Sequence, residues 1–271
     1  MGRSGSRLLR RLENPPRASS LPAADLRGFA PEVVVFAVRA WTLKAEEELR
    51  SAAVFTAIVA GLLEGGAPLD LLDALGAIVR DEIAHAALCC DLAERFHAPR
   101  PSGSAIGARP RLTQSADRRR MALALLLFEG AIGESLSAML FHAGRRGATE
   151  PCARAALDSI LRDESRHASV CWAGLEVLLP ALDGGDRAWL QHDLQRSFGA
   201  LERDGILPTL RRLEAGDAVD PAAFALGVIP PELRVDTFYK GLERVVLPRL
   251  SRLGFDGKAA WERRYQAAPR T

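Results

Sequence analysis

The 271-residue sequence predicts an all-α fold: a four-helix bundle with one long crossover, followed by a C-terminal helical extension. Beyond residue 30, apolar residues recur at helical spacing, and no run shows the alternating, β-branched pattern of a strand. Proline and glycine divide residues 31–180 into four long segments with two short connections and one long one. That connectivity is typical of a bundle with a single crossover.

Each of the four segments carries helix start or stop signals. Pro31 suits the first turn of a helix, Gly65 follows the end of the first segment, and Pro180 ends the fourth. At 1.5 Å per residue, each helix would be roughly 40–50 Å long. The predicted bounds are about 31–64, 69–96, 115–143 and 149–180.

The flanking segments differ from the bundle in composition. Residues 1–30 are rich in Arg, Ser and Pro and predict a disordered N-terminal arm. Residues 181–271 predict a helical extension that packs on the bundle, and Pro248 should kink or divide one of its helices. The helical patterns of this extension cover about 186–203, 231–253 and 257–265.

Charge and cysteine content narrow the partners and the compartment. A balance of 36 basic and 34 acidic side chains gives a net charge of +2 and no electrostatic reason to expect nucleic acid. The four cysteines form no CxxC pair, and no continuous apolar secretory signal occurs near the N-terminus. We therefore expect a cytoplasmic protein, a monomer or homodimer, that binds neither nucleic acid nor a membrane.

One apolar stretch, residues 121–141, is long enough to span a bilayer. It contains Glu129 and Glu134, and a carboxylate near a bilayer midplane costs a few kcal/mol. A buried helix whose acids meet a positive charge is the better interpretation.

Two pentapeptides carry the chemistry, Asp81-Glu82-Ile83-Ala84-His85 and Asp163-Glu164-Ser165-Arg166-His167. In each, Glu and His are three residues apart and therefore share one helical face. Chance predicts only about 0.3 such pairs in a chain of this composition. Two copies, both preceded by Asp, indicate a common role for Glu82, His85, Glu164 and His167.

The other two helices also repeat each other. Glu48-x-x-Ser51-x-x-x-Phe55 matches Glu134-x-x-Ser137-x-x-x-Phe141, so the order along the chain is Glu, ExxH, Glu, ExxH. A duplicated helical hairpin explains this order. Glu48 shares its helical face with apolar residues and should point inward. Glu129 also lies in an apolar run, and two roles stay open for it: an acid that supports a metal ligand, or an acid on the substrate side of the site.

The negative charges of four glutamates in one core need to be balanced by positive charges. Uncompensated, each buried charge costs several kcal/mol. Two divalent metal ions would balance four carboxylates, and two neutral imidazoles would add nitrogen ligands without changing the sum. Oxygen-rich sites with one imidazole per metal favour iron, with manganese as the alternative. The predicted metal ligands are Glu48, Glu82, His85, Glu134, Glu164 and His167.

Over residues 31–180 this pattern resembles the ferritin-like di-iron carboxylate proteins, in which two Glu and two ExxH motifs from four helices surround a metal pair. The Asp before each Glu is similar to that of bacterial multicomponent monooxygenases. By that resemblance, Asp81 and Asp163 hold and orient the metal-bound histidines.

The resemblance implies a di-iron oxidoreductase that uses dioxygen as co-substrate to oxidise a small or carrier-bound organic substrate by hydroxylation, N-oxygenation or desaturation. No flavin, nicotinamide or iron–sulfur motif occurs, so a separate reductase or ferredoxin would donate the electrons. Two alternative functions stay open. The first is a ferroxidase, iron-storage or peroxide-detoxifying protein. The second is a metal-free helical scaffold whose motifs form surface salt bridges.

Overall fold

The computed structural model describes residues 21–97 and 117–266, and over these ranges the chain is helical without any strand. The predicted all-α class is therefore confirmed for this part of the chain. Four long helices come first in the chain: α1 (Pro31–Glu64), α2 (Leu69–Arg95), α3 (Arg118–Gly147) and α4 (Pro151–Leu178).

Helix α3 continues beyond its predicted end at residue 143, because its late glycines are packing positions rather than a stop signal. A Cβ on Gly144 would lie 3.1 Å from Ile229 Cγ1, and one on Gly147 would lie 2.1 Å from the Phe224 ring. Glycine lets the segment around Phe224 and Ile229 approach the helix closely. The predicted start of α3, near residue 115, lies outside the described residues.

The middle of α3, Leu126–Gly133, is a π-helix. The backbone N–H of Glu134 donates to the carbonyl of Glu129, five residues earlier. A π-segment of this kind is rare and occurs frequently at functional sites. In α3, the π-segment brings Glu129 and Glu134 close together on the helix surface, because the two residues are joined by this five-residue hydrogen bond.

The long helices pack on one another around two apolar clusters. We call them the Phe55 cluster and the Trp41 cluster, and all four long helices contribute to both. The Phe55 cluster includes Phe55, Ile58, Leu75, Leu126 and Leu175. The Trp41 cluster includes Trp41, Leu88, Phe96, Phe141 and Leu157. Between the two clusters, each of the four helices presents buried polar side chains.

The C-terminal segment adds further helices. They are α5 (Gly184–Gly205), α6 (Leu207–Glu214), α7 (Pro231–Gly241), α8 (Leu247–Arg252) and α9 (Gly257–Glu262). Helix α7 packs on the second half of α3. Helix α5 packs on the first turns of α3 and on α9. Pro248 lies in the first turn of α8, directly after a π-helical segment, Leu242–Val246. The predicted helical pattern of residues 231–253 is thus formed by consecutive α-, π- and α-helical segments that end at Arg252.

Residues 21–30 belong to the segment predicted to be a disordered arm. Here Leu21 is buried in the Trp41 cluster, and the backbone N–H of Asp25 donates to Glu150 Oε1 at 3.0 Å. This part of the segment is therefore held against the helices. Residues 1–20 lie outside the described residues.

Helix α3 is long and apolar enough to cross a membrane by length and composition. Half of its most apolar window is buried inside the protein, against α1 and α4. Core helices of this kind satisfy the same criteria as membrane-spanning ones.

Glu202 on α5 anchors the end of the described chain. Its carboxylate is 3% exposed and accepts hydrogen bonds from Tyr239 Oη at 2.7 Å, Tyr265 Oη at 2.5 Å and Arg264 Nε at 2.5 Å. Burial raises the pKa of Glu202, but these donors outweigh it and the net shift is downward. The network joins α5 to α7 and to the residues after α9.

We expect Glu202→Gln to lower the free energy of unfolding at pH 7 by about 1–3 kcal/mol, because an ionised acceptor of three donors is lost. The folded pKa lies below the unfolded value of about 4.3, so the difference is fully present above about pH 5 and shrinks as the pH falls through the folded pKa. Chemical denaturation at several pH values measures it. Glu262→Gln, at an exposed position, is the control, and equal stability of the two variants at pH 7 would contradict the prediction.

Candidate metal centre

The structure brings all six predicted ligands together between the two apolar clusters. Each is at most 7% exposed, and the four long helices all contribute. Their ligand atoms form two groups of four, and within each group the atoms lie within 4.8 Å of one another. The first group is Glu48, Glu82, His85 and Glu164; the second is Glu82, Glu134, Glu164 and His167. Each group could hold a metal ion.

The two groups share Glu82 and Glu164, one from each ExxH motif. Each histidine lies closer to the glutamate of the opposite motif than to its own. His85 Nδ1 is 3.3 Å from Glu164 Oε1 and 3.9 Å from Glu82 Oε2. His167 Nδ1 is 2.9 Å from Glu82 Oε1 and 3.9 Å from Glu164 Oε1. The motifs on α2 and α4 therefore interlock into one site rather than forming two separate ones.

The aspartate that precedes each motif glutamate also contacts the histidine of the opposite motif. His85 Nε2 lies 3.3 Å from Asp163 Oδ2, and His167 Nε2 lies 3.4 Å from Asp81 Oδ2. An Nε2–H that donates to a carboxylate leaves the Nδ1 lone pair facing the cluster, as a ligand requires. The family resemblance implied that these aspartates orient histidines, and the structure places each aspartate beside the histidine of the other helix.

Arg166 was not identified from the sequence. Its Nη2 donates to Asp81 at 2.6 Å and to Asp163 at 3.2 Å, and so links both aspartates. Hydrogen bonds to His85 and then Arg166 hold the pKa of Asp163 at about 2, against the opposing effect of burial. The position is one of the two that vary between the motifs, with Ala84 in the first copy, so the repeat gave no signal for it.

Several buried side-chain atoms of the cluster have no hydrogen-bond partner among the described residues, and this arrangement fits a cation site. Five side-chain atoms of the cluster are fully buried and make no hydrogen bond to any described residue: Glu82 Oε1, Glu134 Oε2, Glu164 Oε1, His85 Nδ1 and His167 Nδ1. An unsatisfied buried polar atom costs about 1–3 kcal/mol. All five are acceptors or ligand atoms converging on one place, and bound cations would satisfy them together.

The pKa values point the same way. Burial and the neighbouring carboxylates raise the pKa of Glu82 well above its usual value. Burial likewise raises the pKa of Glu134 and of Glu164 to about 8. Burial lowers the pKa of His85, but the hydrogen bond to Asp163 and the neighbouring glutamates outweigh it and raise the pKa to about 11. Without cations the cluster must therefore retain protons, and divalent ions would displace them.

Glu129, the acid whose role the sequence left open, lies outside both ligand groups. Its Oε2 is 3.2 Å from Arg50 Nη1, and its side chain is 31% exposed. Together with Glu134 it lines a cavity of about 240 Å³ that reaches the cluster. Arg50 and Glu129 also line a neighbouring cavity of about 610 Å³, so this ion pair lies at the junction of the two. Glu129 is therefore an acid on the cavity side of the site.

Two of the buried cysteines lie near the cluster, Cys89 and Cys171, and neither belongs to a ligand group. Burial raises the pKa of both thiols well above the usual value, so they stay protonated. They pack as small apolar residues.

Comparisons with protein-family models, with curated proteins and with solved structures gave no match. The interpretation of the site therefore depends on its own geometry and chemistry.

We expect Glu82→Gln to abolish binding of both metal ions while leaving the metal-free protein as stable as wild type or more so. The amide keeps the shape of the side chain and replaces a carboxyl group whose ionisation burial and three other carboxylates oppose. Elemental analysis and chemical denaturation measure the two effects, with exposed Glu176→Gln as the control. Clear destabilisation of metal-free Glu82→Gln would instead indicate a structural salt-bridge network.

Asp163→Asn should lower metal affinity about 10- to 100-fold, because His85 loses the carboxylate that fixes its tautomer. Asp81→Asn should act similarly through His167. Competitive titration against a chelator measures the affinity. Asp73→Asn, at an exposed position of α2, should bind like wild type, and equal affinities in all three variants would contradict the proposed positioning.

Proposed function

We propose that the protein is a di-iron oxidoreductase with a ferritin-like four-helix bundle, which activates dioxygen to oxidise an organic substrate. The observation that carries the proposal is the pair of overlapping ligand groups that share Glu82 and Glu164. Each group offers three carboxylates and one imidazole, and the order of the motifs along α1 to α4 is that of the ferritin-like proteins it resembles.

Charge balance supports two divalent ions rather than one. The four buried glutamates carry four negative charges when ionised, and two neutral histidines add none. Two divalent ions cancel these charges, whereas one would leave two in an apolar core. Carboxylate oxygen with one nitrogen per ion is a ligand set that suits iron first and manganese second.

A bound ferrous pair supplies electrons and coordination positions for dioxygen. The protein's own residues supply position. Glu82 and Glu164 belong to both ligand groups and would help to hold both ions, and Asp81 and Asp163 fix the orientation of the imidazoles. Because the ligands lie on helices between two apolar clusters, their side chains are held by packing on both sides, which keeps such a site pre-organised.

The cavity beside the cluster favours an organic substrate over storage of iron. Its walls include Leu140 and Phe141 of α3, and the C-terminal segment closes it with Ile206, Ile229 and Phe238. These apolar residues face the charged residues of the cluster across one cavity, and a cavity lined by both apolar and polar groups is typical of small-molecule sites. A ferroxidase needs only a path for ions. We propose that a separate reductase or ferredoxin supplies the electrons.

Anaerobic wild-type protein loaded with two ferrous ions per chain should consume dioxygen within seconds of mixing, because the six ligands hold the ions as a pair. Glu164→Ala removes a shared ligand and should abolish this uptake, and Glu176→Ala on the same helix should not. An oxygen electrode together with iron analysis measures both. A large hollow assembly that takes up many irons per chain would favour the storage alternative, and absence of bound metal would favour the scaffold.

A further inference from the structure

The cavity beside the candidate metal centre contains an arginine without a partner. Arg234 lies in the first turn of α7, is half-buried, and lines the 240 Å³ cavity. Its side chain makes no hydrogen bond or ion pair with any residue in 21–97 or 117–266. Its neighbours in the same cavity wall are different: Arg50 pairs with Glu129, and Lys44 lies 4.1 Å from the centroid of the Phe141 ring.

The charges around the cavity leave one positive group to be matched. The four ligand glutamates are balanced by two divalent ions when the centre is filled, and Arg50 is balanced by Glu129. Of the remaining lining charges, Glu47 is exposed and opposes Lys44 in sign. Arg234 is then the cation left over. A guanidinium that lines the cavity without an anion has its hydrogen-bond donors available for a ligand that brings one negative charge.

The shape of the site limits the rest of the ligand. Leu140, Ile229 and Phe238 form an apolar part of the cavity wall, which also contains the charged residues described above. A volume of about 240 Å³ is below the roughly 300–1,000 Å³ that is typical of pockets for drug-sized molecules. The occupant is therefore small, and its body is apolar.

We propose that the substrate is a small apolar monocarboxylate whose carboxylate pairs with Arg234, so that its apolar body faces the metal centre. The planar guanidinium matches a carboxylate with two parallel hydrogen bonds, and a monoanion matches the single unpaired charge. This inference rests on the proposed function, since the ligand glutamates would repel any anion if they were not neutralised by metal ions.

The test is isothermal titration of manganese-loaded protein with hexanoate and with its neutral isostere hexanamide. Manganese avoids reaction with oxygen, and elemental analysis of the same sample reports whether the centre is filled. Wild type should bind hexanoate at least about tenfold more tightly than hexanamide. Arg234→Met should lose about 10- to 100-fold in hexanoate affinity and change hexanamide affinity little, as expected for a charged hydrogen bond.

Arg244→Met is the matched control, since Arg244 is exposed further along the same helical run. It should bind both probes like wild type, and Arg234→Lys should recover part of the hexanoate affinity. Circular dichroism verifies that each variant folds. Equal hexanoate affinity in Arg234→Met and Arg244→Met would overturn the proposal and place the carboxylate on the metal ions. No binding of hexanoate to filled wild-type protein would overturn it as well, whereas an unfilled centre would refute the proposed function instead.

Discussion

Four carboxylates buried between two apolar clusters are the constraint on which the rest of this structure depends. Glu48, Glu82, Glu134 and Glu164 cannot all be ionised in such surroundings unless cations balance them. Protonation relieves the repulsion in part, as the raised pKa of Glu82 shows, but it leaves buried ligand atoms without partners. Divalent ions would satisfy charge and coordination together, so a metal centre explains an arrangement that would otherwise only destabilise the core.

The interlocked motifs show how the fold makes one site from a duplicated sequence. Each histidine contacts the glutamate of the other motif, and each aspartate contacts the histidine of the other helix. Neither half of the duplication therefore provides a complete set of contacts. Arg166 links the two aspartates on the outer side and contributes to the same pairing of α2 with α4. The coupling means that separation of these helices would disturb both ligand groups.

The elements beyond the repeat line the cavity beside the site. The π-segment of α3 places Glu129 on the cavity beside Glu134, where it pairs with Arg50. The C-terminal segment supplies Ile229, Arg234 and Phe238 to the opposite wall. Glycines in α3 let that segment approach closely, and the Glu202 network secures its far end. The ligands thus come from the repeated helices, whereas the features that would select a substrate come from outside the repeat.

The sequence by itself determined the helical class, the bounds of α1 and the six residues that meet in the cluster, because helical periodicity and the spacing within a motif are local properties. The tertiary structure alone decided which aspartate faces which histidine, that Arg166 joins them, and that Gly144 lies inside a helix. It also decided that Arg234 lines the cavity without a partner. These features depend on how distant helices face each other, and a periodicity along one helix carries no information about the side chain opposite it.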